Sequence, residues 1–124
     1  MRVAIIGQGY VGLTIAVDAA TAGNTVVGFD VNNALVAQLN LGVAHIEGIS
    51  DSALAGLVGS GAYKASTDAS ALDGCDVIVI AVPTPLDEAR NPDLSFVHAA
   101  ADLIAANVKS PVLIVNESTS YPGT

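Results

Sequence analysis

Cations are scarce in this chain. Lys and Arg number 4 against 12 Asp and Glu, a formal net charge of −8 over 124 residues. With no basic cluster among them, a nucleic-acid partner is not expected. Cysteine occurs once, which excludes an internal disulfide and fits a reducing cytoplasm, where the chain is expected to reside. No apolar run reaches a membrane span, because charged, Asn, Gly or Pro residues interrupt every one, so no membrane partner is expected. The first residues carry one Arg and then a strand pattern, unlike a secretory signal. There are no repeats, low-complexity tracts or internal linkers. Tryptophan is absent and aromatics make up 4%, while 52% of the chain is apolar and rich in Ala, Val, Ile and Gly. That composition suits small-residue helices packed on a parallel sheet, and the length suits one domain with its own core.

Strand and helix signals alternate along the chain. Strands are expected at 2–6, 25–29, 63–67, 76–82 and 111–115. Helices are expected from Tyr10 to Ala22, after Asn32 or Asn33, after Ser50 or Asp51, and over Ser95–Val108 with Asp93 or Ser95 as cap. A short helical turn is expected at 68–72. Five parallel strands joined by right-handed crossovers give the order 3-2-1-4-5, an α/β fold of the Rossmann type: a doubly wound parallel sheet with helices on both faces.

The densest signal is GQGYVG at 7–12, between a buried strand and a helix, with Asp30 closing the next strand. This is the dinucleotide-binding fingerprint in its required context. Gly7 allows the tight turn, Gly9 lets a pyrophosphate approach the backbone, and Gly12 lets the helix pack closely. The helix N-terminus offers unpaired N–H groups to phosphate. Asp30 can accept from both ribose hydroxyls and would repel a 2′-phosphate. No Lys or Arg lies between Asp30 and Leu41, so NAD is favoured over NADP. The glycine turn, Asp30, the loop after Val82 and Glu117 all fall at the carboxyl edge of the sheet, where a ligand belongs. An anionic substrate would need basic residues that the chain largely lacks, so a substrate-binding part is expected elsewhere.

GQGYVG, VPTPL at 82–86 and ESTSYPGT at 117–124, in this order and supported by NPDLSFV at 91–97, resemble the UDP-glucose/GDP-mannose dehydrogenase family. The resemblance covers nearly the whole chain but only that family's N-terminal domain. It implies that residues 1–124 are an NAD-binding domain and a fragment of a longer enzyme, with the central helix and C-terminal domains absent. The VPTPL and ESTSYPGT forms look most like the branch that oxidises C6 of UDP-N-acetylglucosamine or UDP-N-acetylmannosamine. Such enzymes convert a primary alcohol to a carboxylate in two NAD-dependent steps, through a cysteine of the C-terminal domain.

By this resemblance Gly7, Gln8, Gly9, Tyr10, Val11 and Gly12 hold the pyrophosphate and Asp30 the adenosine ribose. Val82, Pro83, Thr84 and Pro85 line the dinucleotide groove, and Glu117, Ser118 and Thr119 lie near the nicotinamide. Thr119 matches the threonine that helps to place the catalytic water, and Glu117 is the second candidate for a catalytic role. Leu35 stands where some relatives carry an Arg. The full-length protein is expected to take a UDP-sugar and to be a homo-oligomer, while the fragment binds NAD without turnover. The alternatives are a UDP-glucose 6-dehydrogenase, a stand-alone NAD-sensing module, another NAD-dependent dehydrogenase, or a methyltransferase using S-adenosylmethionine.

Other residues have plainer readings. Cys75 precedes a buried strand and is a small buried hydrophobe rather than a nucleophile. His45 is a loop histidine and His98 a helix-surface one, and neither suggests a metal site.

Overall fold

The computed structural model describes residues 1–46, 48–83, 88–91 and 93–117. Among these, β1 (Arg2–Ile6), β2 (Thr25–Phe29), β3 (Tyr63–Ser66), β4 (Val77–Ile80) and β5 (Leu113–Asn116) form one parallel sheet in the order β3-β2-β1-β4-β5. Side chains alternate along β1. Val3 and Ile5 join the core on one face, Ala4 and Ile6 the core on the other, and all four are buried. A strand covered on both faces needs such an unbroken apolar run.

On the first face lie α1 (Tyr10–Thr21), α2 (Asn33–Asn40) and α3 (Asp51–Ser60). Leu13, Ala16 and Ala20 recur at helical spacing and share a core with Val3, Ile5 and Val26, joined by Leu39 and Leu54. The opposite face is covered by a 3-10 turn (Ala69–Leu72) and α4 (Ser95–Asn107), which contribute Leu72, Ala100 and Ile104. Local caps set the helix starts. Asn32 accepts from the Leu35 N–H at 3.1 Å and Ser50 from the Ala53 N–H at 3.2 Å. At α4 the Asp93 carboxylate accepts from the Ser95 N–H at 2.9 Å, although Leu94 occupies the cap position.

Three strands differ from the expected bounds: β3 ends one residue early, at Ser66, and two others differ for physical reasons. β4 stops at Ile80, opposite Ile6, because β1 turns away at Gly7 and leaves no further ladder partner. β5 begins two residues after Pro111, which has no N–H to give a ladder. As the edge strand, β5 leaves Leu113 and Ile114 exposed. Cys75 is buried in the α4-side core with its Sγ 3.6 Å from the Ala71 carbonyl, and burial pushes its thiol above the ordinary value.

Tyr63 is wholly buried on β3. Burial first, then the negative charge of Asp30, hold its phenol well above the usual value of 10.0. A raised folded-state value keeps the proton on the native form while the unfolded chain loses it. Tyr63 therefore contributes stability that is complete below about pH 10 and is lost as pH rises beyond it. The urea midpoint is expected to fall between pH 9 and pH 11, and Tyr63→Phe is expected to flatten that fall. An equal slope in the variant would assign the loss to other groups.

Candidate functional site

β1 runs directly into the glycine turn. Gly7 has φ +95°, and a Cβ there would sit 2.6 Å from the Ala81 carbonyl oxygen of the neighbouring strand connection. A Cβ on Gly12 would collide with the Gly7 carbonyl. The first turn of α1 is thus seated on the loop itself. Gly9 differs: a Cβ there would meet nothing within 4 Å, so its small size keeps the space above the turn open rather than relieving a clash within the chain. It occupies the cap position of α1, whose first turn carries no acid. The free N–H groups and the positive end of the helix dipole therefore remain available to an anion.

Asp30 stands beside this turn at the end of β2, half-buried. One carboxylate oxygen accepts from the Gln8 N–H at 2.9 Å and the other from the Asn32 N–H at 3.0 Å. Each oxygen keeps a second acceptor site for a ribose hydroxyl. A groove of about 540 Å³ opens here, across the point where strand order reverses between β1 and β4. Gly7, Gly9 and Asp30 form one part of its lining, Val82 and Pro83 another, and Glu117 a third. The Glu117 N–H bonds the Ile80 carbonyl at 2.8 Å, which ties this residue to the end of β4. Val31, Leu35, Phe96 and Leu103 make an apolar wall suited to the flat face of a base. Among the described lining residues there is no Lys or Arg, so a bound pyrophosphate must be met by backbone N–H groups.

The expected site residues occupy three kinds of position. Gly7, Gly9, Tyr10, Val11, Asp30, Val82, Pro83 and Glu117 line the groove, with Tyr10 and Val11 exposed. Gln8 and Gly12 lie beneath it: the Gln8 side chain is wholly buried and turns into the core, and Gly12 is packed under the Gly7 carbonyl. Thr84, Pro85, Ser118 and Thr119 lie outside the described residues. Phe96 and Leu103 lie on one side of α4 at helical spacing, and only the packing of that helix over the sheet makes them part of the groove wall. Tyr63, expected only as the start of a strand, and His45, expected only as a loop histidine, both bond to Gln8. The available signal was Gly28, a residue without a side chain inside an otherwise bulky strand.

A parallel sheet of this order, with a glycine turn feeding a helix and an acid across from it, is a dinucleotide-binding domain of the Rossmann class. The profile described as the UDP-glucose/GDP-mannose dehydrogenase family, NAD binding domain, matches residues 1–124, and the chain belongs to that family. It is 38% identical over 125 residues to a UDP-N-acetyl-D-mannosamine dehydrogenase of Pyrococcus horikoshii, covering 100% of this chain and 30% of the relative. It is 36% identical over 129 residues to a UDP-N-acetyl-D-glucosamine 6-dehydrogenase of Pseudomonas aeruginosa, covering 99% and 28%. The solved structure of the UDP-D-ManNAc dehydrogenase from Pyrococcus horikoshii superposes with a TM-score of 0.91 at 37% identity, covering 99% of this chain and 29% of that one. The chain thus spans under a third of the length of these relatives. NAD is the cofactor of this domain, and the residues present fit it: open space above Gly9, an uncapped helix start and an acid with acceptor sites to spare.

Proposed function

We propose that the polypeptide carrying this domain oxidises the C6 alcohol of a UDP-N-acetylhexosamine to the carboxylate in two NAD-dependent steps. The convergence of the glycine turn, Asp30, Val82, Pro83 and Glu117 on one groove carries this reading. Relatives named for UDP-N-acetylhexosamine oxidation support the substrate class. When bound, NAD supplies the hydride acceptor. The turn and the start of α1 hold its pyrophosphate through backbone N–H groups, and Asp30 orients the adenosine ribose. Leu35 and Phe96 shelter the adenine. Val82, Pro83, Thr84 and Pro85 guide the linkage across the switch point. Glu117 closes the far end of the groove, and the family resemblance gives Ser118 a part in cofactor binding and Thr119 a part in placing a water.

In this reading residues 1–124 are one domain of a longer cytoplasmic enzyme, a homo-oligomer that supplies the nucleophile and the sugar site from later segments. The test is NADH formation by the full-length gene product with UDP-N-acetylglucosamine, UDP-N-acetylmannosamine and UDP-glucose. Two NADH are expected per sugar. An acetylhexosamine is expected to be preferred over UDP-glucose by roughly tenfold or more in kcat/KM. The 124-residue chain is expected to bind NAD and form no NADH. A preference for UDP-glucose would reassign the substrate. No oxidation of any of the three, with NAD still bound, would favour an NAD-binding module over an enzyme.

A further inference from the structure

Gln8 is the residue around which the turn is organised. Apart from Tyr63, it carries the only wholly buried polar side chain among the described residues. All of its polar groups are engaged. Its Nε2 donates to the Ile5 carbonyl at 3.2 Å and to the Gly7 carbonyl at 2.9 Å. Its Oε1 accepts from the Tyr63 hydroxyl at 2.6 Å. Its backbone N–H donates to Asp30 Oδ2 at 2.9 Å. Its carbonyl accepts from His45 Nε2 at 2.7 Å, the imidazole being the only possible donor of that pair. Space for this arrangement comes from β2. A Cβ on Gly28 would meet the Tyr63 hydroxyl at 2.5 Å and strike the Gln8 amide.

An apolar side chain could fill the same hole without needing any partner. The amide instead ties the end of β1 and the Gly7 carbonyl to β3 through Tyr63, while the Gln8 backbone carbonyl ties the turn to the α2–α3 connection through His45. Burial first and the Asp30 charge second raise the Tyr63 phenol, so the field of the ribose-facing carboxylate reaches Tyr63.

We infer that Tyr63 and His45 are positioning residues for NAD, acting through Gln8 to hold the glycine turn and the Asp30 carboxylate in their cofactor-accepting geometry. The inference rests on the NAD site described above. If Tyr63 loses its hydroxyl, Gln8 Oε1 is left buried without a donor. The amide then shifts, and with it the backbone N–H that holds Asp30 Oδ2. A carboxylate free to turn binds the ribose more weakly and repels a 2′-phosphate less selectively. Preorganisation of this kind acts on affinity even where the fold is intact.

Calorimetric titration with NAD and NADP tests this on the wild-type chain, Tyr63→Phe, His45→Ala and the double variant Gln8→Leu/Tyr63→Phe, with circular dichroism and urea midpoints recorded for each. Tyr63→Phe is expected to weaken NAD binding about 5- to 10-fold and to narrow the NAD-to-NADP ratio in a chain that remains folded. His45 is exposed, so His45→Ala is expected to shift affinity the same way with an unchanged urea midpoint. The double variant removes the Tyr63 donor and the Gln8 acceptor together, and with them the amide's bonds to the Ile5 and Gly7 carbonyls. Its midpoint is expected to recover toward wild type while its NAD affinity and ratio do not, which a purely structural role would not produce. If Tyr63→Phe fails to fold, His45→Ala decides. Folded variants with wild-type affinity and ratio would overturn the inference alone. A folded wild-type chain that binds no NAD would overturn the reading of the site instead.

Discussion

Gly12→Ala is expected to abolish measurable NAD binding and to lower the unfolding free energy by about 3 kcal/mol. The added Cβ would fall on the Gly7 carbonyl, with the Ala81 side chain 3.4 Å away behind it. Neither obstacle is the flexible end of a side chain. Relief requires α1 to rise off the loop or Gly7 to rotate, and Gly7 is itself held by its N–H bond to the Phe29 carbonyl at 2.8 Å. Either movement displaces the N–H groups that face the groove, so stability and affinity fall together. Gly9→Ala separates the two effects. Its Cβ would enter open space and its φ of −74° suits alanine, so it is expected to cost no more than about 1 kcal/mol as a poorer cap. It nevertheless fills the position where the pyrophosphate approaches, and NAD affinity is expected to drop. Urea denaturation and calorimetry on both variants check the pair. A Gly12→Ala chain as stable as wild type would show that the helix can lift from the turn without cost.

Asp30→Ala is expected to weaken NAD binding by about 10- to 100-fold, the loss of hydrogen bonds to a charged group worth about 1.5–3 kcal/mol. Binding of NADP is expected to weaken less, because removing the anion also removes repulsion of the 2′-phosphate. The ratio narrows without inverting, since no Lys or Arg among the described lining residues can hold that phosphate and Leu35 stands in the wall of the groove. The substitution also leaves the Gln8 and Asn32 N–H groups without their carboxylate acceptor, which loosens the turn and the start of α2. Asp30→Asn distinguishes charge from acceptor. One oxygen remains to accept, so the loss of NAD affinity is smaller, yet the ratio still narrows. An unchanged affinity in the alanine variant would remove Asp30 from the site.

The order β3-β2-β1-β4-β5 and the glycine turn were legible in the sequence because local rules decide them. Arg2–Ile6 is short, apolar and followed by glycine. Tyr10–Thr21 repeats small apolar residues at helical spacing, and Asp30 closes the next apolar run. Asn32 and Ser50 mark helix starts through bonds to N–H groups three residues on, and chain neighbours alone can make those bonds. Right-handed crossovers together with the dinucleotide fingerprint after strand one point to the order 3-2-1-4-5, and a parallel sheet brings Asp30, Val82 and Glu117 to a common edge.

Long-range packing decided the rest. Tyr63 and Gln8 are 55 residues apart, His45 and Gln8 37 apart, and no periodicity links them. Phe96 and Ile104 share one apolar face of α4, but only the position of that helix over the sheet makes Ile104 core and Phe96 groove wall. The sequence by itself determined that a dinucleotide turn exists and which acid faces it, since a strand, a glycine spacing and a helix start are contiguous in the chain. The tertiary structure alone decided that the Gln8 side chain turns inward to be held by β3 while its backbone carbonyl meets the α2–α3 connection, because buried polar groups take their partners from whatever the fold brings within reach.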